Sequence, residues 1–92
     1  MKWLEIIKLR SAGMGEELLE EFLRSLVKPG QSEELVEIKT YRHAALGNDV
    51  SVHLHWESER PEQNGTDLGL RLAQTFKEFG LIDHSIWIEE QK

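Results

Sequence analysis

"DVSVHLHWES", residues 49–58, alternates Val50, Val52, Leu54 and Trp56 with Ser51, His53, His55 and Glu57. A period of two is that of an extended chain, so the four apolar side chains share one face and both histidines occupy the other. The stretch reads as a strand with one greasy side, and it raises the question of whether the histidine side is a site or only wetted surface.

The neighbouring segments decide what this strand pairs with. Residues 34–43, "ELVEIKTYRH", alternate in the same way, with Val36 and Ile38 opposed to Glu37, Lys39 and Tyr41. "ALGND" joins the two as a hairpin turn, with Gly47 and Asn48 as the residues that tolerate positive φ. If Val36 and Ile38 share a face with Val52 and Leu54, odd positions pair with odd ones, and Tyr41 and Lys39 come close to His53, His55 and Glu57.

Outward from this hairpin the period changes twice. "WLEIIKLR", residues 3–10, is short, rich in isoleucine and leucine and followed by the glycines of "SAGMG", which predicts a first strand. In "EELLEEFLRSLV", residues 16–27, Leu18, Leu19, Phe22, Leu23 and Leu26 recur at three and four, giving one apolar helical stripe that Lys28 and "PG" end. After the polar "SERPEQNG", Thr66 or Asp67 caps a second helix carrying Leu68, Leu72, Phe76 and Phe79, closed by Gly80. Gly69 lies one position from that stripe and permits a close approach to the sheet. "LIDHSIWIEE", residues 81–90, is a fourth strand, with Ile86 and Ile88 on one face and Trp87 on the other.

The order β, α, β, β, α, β predicts an α+β domain: a ferredoxin-like βαββαβ plait whose four-stranded antiparallel sheet runs 4-1-3-2, with two helices on one face. The core then comprises Val36, Ile38, Val50, Val52, Leu54, Trp56, Ile86 and Ile88. With strands one and three central, Glu5 and Ile7 are expected beside His53 and His55.

Composition narrows the function classes. At 92 residues the chain, 1–92, is expected to form a single domain, and 39% apolar with 30% charged residues is the balance of a folded one. No apolar run approaches the roughly 18 residues a membrane helix needs. Glu5 and Lys8 interrupt any leader-like stretch in "MKWLEIIKLR", so a cytoplasmic protein without a membrane partner is expected. The absence of cysteine excludes disulfides and thiolate chemistry. A net charge of −6 with scattered lysine and arginine lacks the footprint of a nucleic-acid binder.

The first strand is apolar on both sides, with Leu4 and Ile6 pointing one way and Trp3, Ile7 and Leu9 the other. Such a strand calls for cover on both faces. With Trp87 and Tyr41 added, the helix-free face would carry an apolar patch larger than soluble monomers leave bare. A second copy of the chain is the simplest cover, so a homodimer is expected. On its topology, its size and this two-faced strand, the whole chain resembles the dimeric α+β barrel group of ferredoxin-like proteins. That group includes small monooxygenases acting on polyketide-type aromatics, haem-degrading enzymes, muconolactone isomerases and stress-responsive proteins. The resemblance implies two sheets packed face to face, with room for a small apolar or aromatic molecule. It carries as the alternative function a cofactor-free monooxygenase- or isomerase-type enzyme.

The residues singled out for ligand contact are Glu5, Tyr41, His53, His55 and Trp87, with Trp3 as a further aromatic and Lys39 or Arg42 at the rim. His53 and His55, with Glu5 or Glu57, present two imidazoles and a carboxylate, the weak His-x-His pattern of a metal site. No cofactor is called for. The glycines of "RSAGMG" fit neither a P-loop nor a dinucleotide fingerprint, and Glu16 and Glu17 would repel an anion there. His84 and Asp83, at the start of the fourth strand, read as a turn or a local hydrogen bond.

Overall fold

The computed structural model describes residues 1–11, 16–26 and 33–90. The elements are β1 (Lys2–Ser11), α1 (Glu16–Ser25), β2 (Leu35–Arg42), β3 (Asp49–Glu57), α2 (Asp67–Phe76) and β4 (Gly80–Ile88). The glycines expected after β1 and the Lys28–Pro29–Gly30 helix end lie outside the described residues.

All three strand pairings are antiparallel, and the sheet runs β2-β3-β1-β4. Counted from the β4 edge the same row is 4-1-3-2, so β1 and β3 are the interior strands. Trp3, Glu5, Ile7 and Leu9 stand opposite Trp56, Leu54, Val52 and Val50, and this face joins Leu19, Leu23 and Leu26 of the α1 segment and Leu72, Ala73 and Phe76 of α2 in one buried cluster. Phe22 and Phe76 meet edge to face across the helices at 5.7 Å, and the Trp3 and Trp56 rings stack at 5.6 Å.

Thr66 is the N-cap of α2, as expected, its hydroxyl accepting from Gly69 N at 2.9 Å. The end of that helix differs from expectation. α2 stops at Phe76, with Lys77 as C-cap, and Gly80 opens β4. A Cβ on Gly80 would stand 2.1 Å from the Arg10 carbonyl oxygen, so glycine is needed where β4 begins against β1.

Two further departures concern the hairpin. The β2–β3 pairing is odd with odd from Glu37↔His55 through Tyr41↔Ser51, but the register shifts between Leu35 and Glu37. This bulge turns Leu35 inward against Trp56 and leaves Val36, expected in the core, 62% exposed. The turn also closes without positive φ at Gly47 or Asn48; among the described residues Gly65 alone has it, at 96°. The turn is held instead by His43, whose Nδ1 accepts from Ala45 N at 3.0 Å and Leu46 N at 2.9 Å, and by Arg42 donating to Gly47 O at 2.8 Å.

Candidate functional site

The side of the sheet away from the helices is a grid set by the register. One row is Glu37, His55, Leu4 and Trp87; the next is Lys39, His53, Ile6 and Ser85; the third is Tyr41, Ser51, Lys8 and Asp83. Its centre is apolar and aromatic, and its margins are charged. Four of the five residues expected at a ligand site, Tyr41, His53, His55 and Trp87, lie on this face.

Glu5 does not, and this corrects the sequence reading. Its partner on β3 is Leu54, so it points into the helix side, while Leu4 and Ile6 are the neighbours of His55 and His53. Ile7 and Trp3 belong with Glu5 on the covered face. A site built from His53, His55 and Glu5 is therefore impossible. Among the described residues no group of three histidine or acidic side chains is arranged to hold a metal ion, with Glu57 or otherwise.

Glu5 instead anchors a polar cluster within the core. Its carboxylate, 0% exposed, accepts from Trp56 Nε1 at 3.1 Å, Thr66 Oγ1 at 2.7 Å, Thr66 N at 3.0 Å and His84 Nε2 at 2.5 Å. With Glu5 ionised its carboxylate only accepts, and His84 then donates to it from Nε2. Four donors from β3, the α2 cap and β4 converge on one buried acid, as a buried charge requires. His84, read from sequence as a local contact, is thus bound to a residue 79 positions away. One signal in the sequence bore on the face of Glu5. The even set of β1 ends in Lys8 and Arg10, whereas the odd set, Glu5 apart, is apolar from Trp3 through Leu9, so the odd set is the better core face.

On the open face, the Tyr41 and His53 rings lie 4.6 Å apart at 50°, and His53 Nε2 meets Ser51 Oγ at 2.8 Å. Trp87 Nε1 donates to Ser85 Oγ at 2.9 Å. His55 Nε2 is buried and meets no hydrogen-bond partner among the described residues.

Burial, then the neighbouring His55, then Lys8 hold the His53 pKa below its ordinary 6.5. The unfolded chain therefore binds a proton near 6.5 that the folded chain resists, and stability rises with pH through that window and falls as pH drops below it. Urea midpoints taken at about pH 7.5 and about pH 5.5 should fall further for the parent chain than for His53→Gln. Equal falls would remove His53 as the source of the linkage.

Where β1 leaves the sheet, a hollow of about 530 Å³ opens on the same face. Its floor is the stretch Lys8–Arg10 with the adjoining parts of β3 and β4, and its wall is Tyr41 to His43 with Leu46 of the hairpin turn. It lies within the roughly 300–1,000 Å³ of small-ligand sites. Among the described residues no helix is long and apolar enough to cross a membrane. No family model matches the chain, and no curated protein or solved structure matches it either.

Proposed function

We propose that the chain is a ferredoxin-like plait that works as a two-fold homodimer, its open sheet faces turned toward each other around a small-molecule site. The observation that carries this reading is the outer side of β1. Leu4 and Ile6 sit at the centre of the sheet on the side away from both described helices, only half-buried, on a face that also carries Trp87 and Tyr41, which are 58% and 46% exposed.

The distribution of charge supports a second copy as the cover. A two-fold contact sets a patch against itself, so it needs both signs on its margin. Here Lys2, Lys8 and Lys39 stand with Glu37, Glu57 and Asp83 around the apolar centre, the pattern of an interface core within a polar rim. Within such an enclosure His53, its pKa lowered by burial, His55 and Lys8, would face a ligand as a weakly basic imidazole, and an enzyme of this architecture would use it as a general base only in that weakened form.

Light scattering on a gel-filtration peak should give twice the 10.7 kDa chain mass at micromolar concentration. Trp87→Glu should return the single-chain mass with an unchanged circular dichroism spectrum, because Trp87 contributes little to its own subunit's core. A parent chain that is strictly monomeric under these conditions would overturn the proposal.

A further inference from the structure

The hollow on the open face holds two opposite charges that do not meet. Lys8 and Asp83 are direct cross-strand partners on β1 and β4, yet their charged groups form no ion pair, with each other or with any other described residue. The remaining charges around the hollow are engaged: Arg10 with Asp49 at 3.6 Å, and Arg42 with Glu20 and the Gly47 carbonyl. Above this floor stand three exposed apolar side chains, Tyr41, Leu46 and Leu81.

We propose that the hollow binds a zwitterionic small molecule with an apolar body, of the class of apolar α-amino acids. The ligand carboxylate would lie against the Lys8 ammonium and its ammonium against the Asp83 carboxylate, with the side chain on Tyr41, Leu46 and Leu81. A ligand bearing one charge would engage one floor residue only, so simple acids and simple amines should bind more weakly than a molecule that carries both charges. An amino acid carries both charges about one carbon, one for each of two cross-strand groups that do not pair with each other. Its volume suits a hollow of about 530 Å³. The inference rests on reading the open face as a ligand surface. Every residue it names comes from one chain, so it does not require the dimer.

Amide and side-chain NMR titrations of the full chain test it with three probes: L-phenylalanine, 3-phenylpropionate, which lacks the ammonium, and 2-phenylethylamine, which lacks the carboxylate. Phenylalanine should shift the resonances of Lys8, Ser51 and Asp83 and bind at least about tenfold more tightly than either analogue. Lys8→Met and Asp83→Asn should each remove about tenfold of that affinity while spectral dispersion stays native. Equal affinity for 3-phenylpropionate and phenylalanine, shifts confined to other parts of the molecule, or no shifts at millimolar phenylalanine would each overturn the proposal. Light scattering on the same samples separates the two readings: a dimer that ignores phenylalanine defeats only this inference, and a monomer that binds it defeats only the dimer.

Discussion

Glu5→Ala is expected to remove about 3–5 kcal/mol of folding stability, the cost of leaving buried polar groups without their charged partner. The total for a domain of this kind is about 5–15 kcal/mol, so the variant should be marginally folded or unfolded at room temperature. Glu5 is wholly buried, and its removal strands the Trp56 indole N–H, the Thr66 hydroxyl and N–H, and His84 Nε2. The cavity left behind adds to the loss. Glu5→Gln keeps the shape and one acceptor oxygen but turns an N–H₂ group toward donors, so it should cost less, about 1–3 kcal/mol. Urea unfolding measures both. An alanine variant within about 1 kcal/mol of the parent would mean that the cluster is not what joins β1 to the α2 cap and β4.

Gly69→Ala is the second large effect, and two terms of opposite sign decide it. Alanine gains about 1 kcal/mol of helix propensity over glycine. Against this, a Cβ at position 69 would stand 1.9 Å from Glu5 Oε2 and 2.3 Å from its carboxyl carbon. Glu5 cannot swing aside, since its four hydrogen bonds fix it, so α2 would have to lift from the sheet. Overpacking of this kind costs about 1–3 kcal/mol, and the displaced hydrogen bonds add to it, so the net change should be a loss of at least about 2 kcal/mol. The same substitution in a Glu5→Ala background meets no carboxylate and should be near neutral. Urea unfolding of the four proteins yields a coupling energy of about 2 kcal/mol or more if the contact is responsible. Additive effects would show that Gly69 is needed for some other reason.

Both predictions centre on a residue whose environment the sequence reading placed on the wrong side of the sheet. The reason is physical. Strand alternation assigns faces only when one face is polar, and β1 carries Leu4 and Ile6 on one side against Trp3, Ile7 and Leu9 on the other. A glutamate in such a strand reads as the exposed exception. It becomes a core residue only through Trp56, Thr66 and His84, which are 51, 61 and 79 positions away. Gly69 was legible by itself as a point of close approach, but what it approaches was not. The bulge at Val36 escaped for a related reason: a one-residue slip leaves no mark in an alternating pattern until its partner strand is known.

The six elements and their order and the odd-with-odd hairpin register were legible in the sequence alone, because each depends on local periodicity or on residues within a turn of one another; the cap of α2 was narrowed there to Thr66 or Asp67, and the structure gives Thr66. The common face of Tyr41, His53 and His55 follows from the same rule. The tertiary structure decided which side of β1 the helices cover, and with it the burial of Glu5, its bond to His84 and the unpaired Lys8 and Asp83 facing each other across two strands. These depend on contacts between distant segments, which the pattern of any one segment does not encode.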